Sequence, residues 1–168
     1  MATKLATVKA LGKYTLASGL DIKQGGPFQC IGYKIATADC IDNAGTAVGY
    51  FDLPETVPAG SIVIGWMCNA YAGWTGDTSC TLIVGDGTTT DLYCDDAGAA
   101  NIFTAGVYGA AMGDDVHVHA DRNPLILAAT TVRLTLTGAT DFTLIQTAAA
   151  GAMEFYFFYV HMPFGQTA

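Results

Sequence analysis

Two histidines, His117 and His119, are separated by one residue, so in a strand their imidazoles point to the same side. This spacing is typical of metal-ligand pairs, and His161 or Asp121 would supply a third ligand for zinc or a similar ion. A cupin-like barrel would add a glutamate soon after the pair, but the only later glutamate is Glu154. Two histidines at a surface or a subunit contact explain the pattern better. We therefore predict no metal site and no cofactor.

The chain contains few residues or motifs that could catalyse other reactions. Ser18, Ser61 and Ser79 occur without a GxSxG motif, and no GxxxxGK[ST] or GxGxxG phosphate-binding loop is present. The five cysteines include no CxxC pair, and their odd number excludes a complete disulfide framework. No basic residue adjoins a cysteine to lower its pKa. We predict reduced, buried thiols and a protein that is not an enzyme.

Charge is scarce and unevenly distributed. The chain of 168 residues has 7 Lys and Arg against 15 Asp and Glu, for a net charge of −8, which excludes a nucleic-acid partner bound through its phosphates. No apolar run is long enough to span a membrane, so no membrane partner is expected. Five lysines fall within residues 1–34, among them Lys4, Lys9 and Lys13. A basic arm on an acidic body favours docking onto an acidic neighbour, with a solvated tail as the alternative.

The composition predicts a chain made of strands. It has 21 threonines and 20 glycines but only two glutamates. Branched threonine suits a pleated strand and glycine supplies turns, whereas a helical domain of this size carries many exposed glutamates. We therefore expect an all-β sandwich of jelly-roll type over residues 28–168, preceded by an extended arm over residues 1–27. The expected strands are 28–36, 47–53, 61–71, 78–84, 116–119, 125–127, 132–137, 142–146 and 153–162.

The apolar pattern predicts a hairpin between strands 61–71 and 78–84. A register shift of one residue would mix apolar and polar side chains, so one register is favoured. It places six side chains on one face, in the opposite pairs Ile64 and Val84, Trp66 and Leu82, and Cys68 and Cys80.

Two loops are predicted to form contacts with partners. Trp74 lies in the loop of that hairpin with Tyr71 nearby, and exposed aromatic rings of this kind anchor interfaces or stack on sugars. In the alternative interpretation, Trp74 folds back and caps the end of the sandwich. The segment Asp95–Asp115 is too long for a turn, and loops of that length are often contact surfaces. Within it, Phe103 and Tyr108 are the expected contact residues.

The last strand is apolar on both faces. Phe155, Phe157 and Tyr159 alternate with Tyr156, Phe158 and Val160. Such a strand is covered on both sides, on one by the facing sheet and on the other by a second subunit, the arm or a long loop. Oligomerisation is the preferred explanation.

Four segments together resemble small virion structural proteins of tailed bacteriophages. They are Leu53–Ser61 with its PAG turn, Thr81–Gly87 with its VGDG turn, Thr131–Thr137 and the terminal aromatic strand Phe155–Val160. The resemblance spans residues 50–160. It implies a non-enzymatic capsid decoration (cement) protein on the virion surface, assembled in the host cytoplasm. Proteins of this class are usually trimeric and bind at junctions between major capsid subunits.

The resemblance implies which partners the chain binds, and two alternative functions stay open. The expected partners are the major capsid protein and further copies of the chain in a homotrimer. A head-fibre, tail, receptor-binding or carbohydrate-binding module is the first alternative, and a metal-dependent cupin-like enzyme built on His117 and His119 is the second. The predicted contact residues are Lys4, Lys9, Lys13, Tyr71, Trp74, Phe103 and Tyr108.

Overall fold

The structure is a computed structural model that describes residues 3–4, 28–94, 100–111 and 125–161, with the backbone alone at 3–4 and 110–111. In these ranges the chain forms two antiparallel sheets around one core, so the predicted all-β sandwich is confirmed. The strands are β1 (Thr3–Lys4), β2 (Phe28–Ala36), β3 (Ile41–Asp42), β4 (Val48–Val57), β5 (Ser61–Ala72), β6 (Cys80–Gly85), β7 (Ala100–Asn101), β8 (Gly106–Ala111), β9 (Thr130–Gly138) and β10 (Ala152–His161). A 3-10 helix at Thr37–Asp39 and the helix α1 (Phe142–Ala148) interrupt them.

The longer strands alternate between the two sheets along the chain. Sheet A has the order β1-β2-β10-β5-β8, and sheet B has the order β3-β4-β9-β6-β7. The aromatic strand β10 therefore lies in the middle of sheet A, where Phe157 is opposite Ile31 of β2 and Trp66 of β5. A central position gives β10 neighbours along both edges as well as a facing sheet.

The core forms where the inward faces of the two sheets meet. On β9, Val132, Leu134 and Leu136 are fully buried, while Arg133 and Thr137 point outward, as the alternating pattern predicts. On β10, Phe155 and Phe157 are likewise fully buried. Each such side chain stabilises the fold by roughly 1.5–3 kcal/mol relative to an exposed position. The core is therefore continuous between sheets A and B.

The predicted hairpin between β5 and β6 is wrong. β5 pairs with β10 and β8 in sheet A, whereas β6 pairs with β9 and β7 in sheet B. Residues 73–79 cross from one sheet to the other. Trp66 and Cys68 do share a core with Leu82, but they face it across the sandwich. An apolar pattern shows which side chains are buried together, and it does not distinguish pairing within a sheet from packing between sheets.

The expected strand at 142–146 is also wrong, because these residues form α1. Asp141 caps the helix, since its Oδ1 accepts a hydrogen bond from the Thr143 backbone N–H at 2.9 Å. Phe142 and Ile145 are three residues apart and both fully buried, so they share one helix face. Among the described residues, no helix is long and apolar enough to cross a membrane.

The expected long loop at Asp95–Asp115 and the expected strand at 125–127 both differ from the structure. The segment Asp95–Asp115 is not one long loop, because β7 and β8 form within it. Its residues 95–99 and 112–115 lie outside the described residues, as does the expected strand at 116–119. The expected strand at 125–127 is reduced to a single bridge between Leu125 and Ile62.

Candidate contact surface

Trp74 is buried, which corrects the expectation that its ring is exposed at a loop tip. The side chain has no exposed surface, and its backbone N–H donates to the Ile102 carbonyl at 3.1 Å. The connection at 73–79 places the indole within the hydrophobic core, which removes its ring from solvent. The capping alternative therefore describes Trp74 correctly, and the ring offers no surface to a partner.

Tyr71 remains a surface residue. It lies near the end of β5 with 43% of its surface exposed, and Lys34 of β2 sits over its ring, with 4.9 Å between Nζ and the centroid. This cation–π contact fixes the ring orientation at the rim of sheet A. A role for Tyr71 in partner contact stays a prediction.

Phe103 and Tyr108 are half-buried and already engaged within the chain. Phe103 packs against the core. The Tyr108 hydroxyl donates to the Thr104 carbonyl at 2.8 Å, and its ring lies over Gly106. Both residues keep part of their surface in solvent, so their contact roles also stay predictions.

The remaining predicted site residues are only partly covered by the structure. The backbone of Lys4 lies in β1, which pairs with β2 at one edge of sheet A. Lys9, Lys13, His117 and His119 lie outside the described residues. Within the described ranges, no group of three or more His, Cys, Asp and Glu residues could hold a metal ion.

One serine–histidine contact was not anticipated from the sequence. Ser61 Oγ lies 3.1 Å from His161 Nδ1, where the start of β5 meets the end of β10. Ser61 has no exposed surface, so its hydroxyl is inaccessible to a substrate. The contact joins two strand ends. Ser61 and His161 are 100 positions apart in the sequence, so no local pattern predicted their contact.

The thiols are structural. All five cysteines are free and buried. Burial raises the pKa of Cys68 and of Cys80 to about 12, so neither thiol ionises near neutral pH. The Cys68 Sγ donates to Met153 Sδ at 3.4 Å inside the core. The predicted burial of the thiols is confirmed.

The outward side of sheet A carries a continuous set of apolar side chains. Antiparallel partners point to the same side of a sheet, so the outward Phe158 aligns with Cys30 of β2 and with Gly65 of β5. We call this surface the apolar face; its large side chains are Phe28, Ile62, Ile64, Met67, Val107, Tyr156, Phe158 and Val160. The predicted second apolar side of β10 thus lies within this larger surface.

A β-bulge brings Ile64 onto the apolar face. Phe158 pairs with Gly65 and Tyr159 pairs with Val63, so Ile64 is the extra residue on β5. Gly65 has φ 154°, which side chains rarely adopt. The bulge shifts the alternation by one residue, which leaves Ile64 39% exposed. The expectation that Ile64 shares the buried face of Trp66 is therefore wrong.

The apolar face has a row of aromatic rings and a shallow groove. The Phe28 and Phe158 rings are tilted with 6.1 Å between their centroids, and the Tyr156 and Phe158 rings are stacked with 6.5 Å between theirs. The groove runs beside Phe158, and its other lining residues include Ile64, Met67, Val107 and Gly109. Gly109 has no side chain to fill the groove.

The apolar face is nearly free of charge. Its described charged side chains are Lys34 and Glu154, which occupy paired positions on β2 and β10. Lys34 lies over the Tyr71 ring, and Glu154 Oε2 is 3.4 Å from the Tyr156 hydroxyl, which donates to it. The two charges are opposite, so the described part of the face is neutral.

The outward side of sheet B is polar by contrast. Arg133 donates to both oxygens of Asp52, at 2.6 and 2.7 Å, and its guanidinium lies 4.1 Å from the centroid of the Tyr50 ring. The hydrogen bond to Asp52 raises the pKa of Arg133. Thr81 of β6 and Thr137 of β9 form an opposite pair further along the same side of the sheet. Among the described residues, the outward side of sheet B is therefore more polar than that of sheet A.

The fold is similar to that of chains in two phage capsid structures. A chain in the cyanophage Pam1 capsid asymmetric unit superposes with a TM-score of 0.50 at 19% sequence identity, covering 82% of this chain and 86% of that one. A chain in the capsid of Ralstonia phage GP4 gives a TM-score of 0.46 at 18% identity, with the same coverage. No protein-family model and no curated protein sequence matches the chain. At 19% identity, the similarity to the Pam1 chain shows that the two chains have a similar fold.

Proposed function

We propose that this chain is a structural protein of a tailed-phage virion, a capsid decoration protein without catalytic activity. The apolar face of sheet A carries the proposal, because a neutral surface of aromatic and aliphatic side chains this extensive marks an interaction site. The capsid assembly that contains the similar Pam1 chain supplies the partner class. The basic arm and the sequence resemblance to virion structural proteins also support a capsid partner.

The more specific role that we propose is the one typical of capsid decoration proteins. The chain binds on the outside of the capsid at junctions between major capsid subunits, as a homotrimer, and stabilises the head. Large, weakly charged contact surfaces suit this role, since holding adjacent subunits together requires buried area and no chemistry. The inaccessible thiols and the fully buried Ser61 support a non-enzymatic role.

We infer that the sandwich is a jelly roll. β2, β10, β5 and β8 are neighbours in sheet A, and β4, β9, β6 and β7 are neighbours in sheet B. Successive long strands cross from one sheet to the other, which is the connectivity of two interleaved Greek keys.

Burial of Trp74 weighs against the carbohydrate-binding alternative. That interpretation needs the Trp74 and Tyr71 rings side by side at the surface, whereas only Tyr71 is exposed. A sugar platform also needs ring faces open to the ligand, and the Tyr71 face is occupied by Lys34.

Capsid association is the direct test. The purified chain is mixed with capsids of its own phage that lack accessory proteins, and the pelleted material is quantified after sedimentation. We expect saturable binding at a fixed ratio to the major capsid protein, and a higher melting temperature of the decorated capsid. A chain that stays in the supernatant at all concentrations would contradict the proposal.

A further inference from the structure

We infer that Lys34 and Asn69 form an isopeptide bond, an amide between two side chains, with Glu154 as the proton carrier. The bond joins β2 to β5 across the intervening strand β10 of sheet A. It is a single reaction of the chain with itself, so it requires no catalysis on other molecules and stands apart from the proposed capsid contact.

The sheet register places the three side chains next to one another. Glu154 of β10 is opposite Lys34 of β2 on one edge and opposite Asn69 of β5 on the other. Glu154 points outward, because its neighbours Met153 and Phe155 are fully buried, and antiparallel partners share a side of the sheet. We call Lys34, Glu154 and Asn69 the polar row. Its carboxylate lies between the amine and the amide.

The amine of Lys34 already reaches over β10 to β5. Its Nζ lies 4.9 Å from the centroid of the Tyr71 ring. Tyr71 and Asn69 point to the same side of β5, because Ala70 between them is fully buried. A rotation of the flexible four-carbon stem of Lys34 therefore moves Nζ from Tyr71 toward the Asn69 amide without a change in the backbone.

The three residue types supply what an exchange of amides needs. A neutral lysine amine is a nucleophile, and the Cγ of an asparagine is a carbonyl carbon that it attacks. A carboxylate between them takes protons from the attacking nitrogen and delivers them to the departing one. Because the register holds all three groups together, the reaction needs no encounter between separate molecules.

In the reaction, a bond forms between Lys34 Nζ and Asn69 Cγ, and the bond between Asn69 Cγ and Nδ2 breaks. Two of the three protons of the ammonium pass through the Glu154 carboxylate to Nδ2, and the third stays on the new amide. Nδ2 leaves as ammonium and the carboxylate is regenerated. No electrons are transferred, so no oxidant, reductant or cofactor takes part.

The surroundings of the polar row determine how fast the bond forms. Lys34 is exposed in the single chain, and water favours the protonated form of an amine. The rings of Tyr71 and Tyr156 lie beside the row, and the Tyr156 hydroxyl donates to Glu154 Oε2 at 3.4 Å. Alkaline pH therefore accelerates the reaction in the free chain. If the proposed capsid partner covers the apolar face, removal of water does the same there.

The test is the intact mass of the full-length chain, measured after incubation at pH 9 and after recovery from capsids. We expect wild type to lose the mass of one ammonia, and protease digestion to release one cross-linked pair of peptides that contain Lys34 and Asn69. Lys34→Arg and Asn69→Ala should keep their full mass. Asn101→Ala is the matched control, because Asn101 is an exposed asparagine of β7 in sheet B, and it should react like wild type.

Glu154→Gln tests the proton carrier. Glutamine has nearly the same size but cannot accept the proton, so cross-linking should slow on the order of 100-fold with an unchanged circular dichroism spectrum. A Glu154→Gln chain that reacts at the wild-type rate would remove the carboxylate from the mechanism.

Two results would overturn the inference itself. One is a wild-type chain that keeps its full mass in both samples. The other is loss of ammonia that persists in Lys34→Arg, because an asparagine that closes onto its own backbone also releases ammonia.

Capsid sedimentation separates this inference from the proposed function. A chain that cross-links at pH 9 but never binds capsids would contradict the proposed function alone. A chain that binds capsids and keeps its full mass would contradict the inference alone.

Discussion

Gly151 combines a backbone constraint with a packing constraint. Its φ is +115°, and a Cβ there would lie 2.8 Å from Trp74 Cα and 2.9 Å from Trp74 Cγ. We expect Gly151→Ala to lower the free energy of unfolding by about 3 kcal/mol, from backbone strain and from displacement of the buried indole. Urea unfolding followed by tryptophan fluorescence measures the loss.

Gly45→Ala is the control for that substitution. Gly45 has φ +77°, and a Cβ there would meet nothing within 4 Å, so only backbone strain of about 1 kcal/mol is expected. Equal losses in the two variants would show that the contact with Trp74 does not contribute.

The buried thiols make stability sensitive to alkaline pH. Burial raises the pKa of Cys68 and of Cys80 to about 12, whereas thiols of the unfolded chain ionise near 9. The stabilisation is complete below pH 9 and is lost as the pH rises toward 12, because only the unfolded chain releases these protons in that range. Each thiol should contribute a slope approaching 1.4 kcal/mol per pH unit, as a rough upper value.

Urea unfolding of wild type and of Cys68→Ala at pH 8 and pH 10.5 checks this prediction. Both proteins share the other groups that ionise in this range, so the difference in slope isolates one thiol. We expect the variant to lose less stability between the two pH values. Identical slopes would mean that Cys68 ionises equally readily in the folded and the unfolded chain.

At the scale of elements, residue type and alternation predicted which side chains are buried more reliably than which strands are neighbours. β2 forms over the expected residues 28–36, and β9 alternates as its Val-Arg-Leu-Thr pattern indicates. The partners of β5 are β8 and β10, which lie far along the chain, and pairing of this kind leaves no local signal. The apolar face likewise depends on the bulge at Gly65 and on the central place of β10. In the sequence, only the apolar residues on both sides of β10 indicated this surface.

The helix α1 shows how a capping residue overrides strand propensity. The sequence Phe-Thr-Leu-Ile contains branched and aromatic residues that favour a strand, but Asp141 satisfies an N–H of the first turn. We expect Asp141→Ala to lower the free energy of unfolding by about 1 kcal/mol, and Asp141→Asn to preserve most of it. Chemical denaturation of both variants measures this. If the two lost equal stability, the carboxylate charge rather than the cap would be responsible.

At the scale of the molecule, the two sheets divide the surface into unlike halves. Sheet B exposes threonines and a paired arginine, while sheet A exposes aromatic rings with nothing described above them. In the described part of the chain, sheet A thus has an apolar outward side, which the proposed contact with capsid protein would cover.

The basic arm is the other expected contact region. Lys4 lies in β1 beside β2, and we expect Lys4, Lys9 and Lys13 to bind an acidic surface of the capsid. Deleting residues 1–25 removes β1, whose described pairs with β2 are those of Thr3 and Lys4, and leaves all nine register pairs between β2 and β10. We expect a folded body that keeps its oligomeric mass and no longer sediments with capsids.

A full-length variant with Lys4→Gln, Lys9→Gln and Lys13→Gln separates the charge of the arm from its length. Capsid binding through these lysines should weaken in the variant, and wild-type binding should fall as salt is raised from 0.1 M to 1 M, since screening shortens from about 10 Å to about 3 Å. Salt should leave contacts of the apolar face intact, because burial of apolar surface does not depend on charge. A truncated chain that still decorates capsids like wild type would show that the body alone holds the capsid.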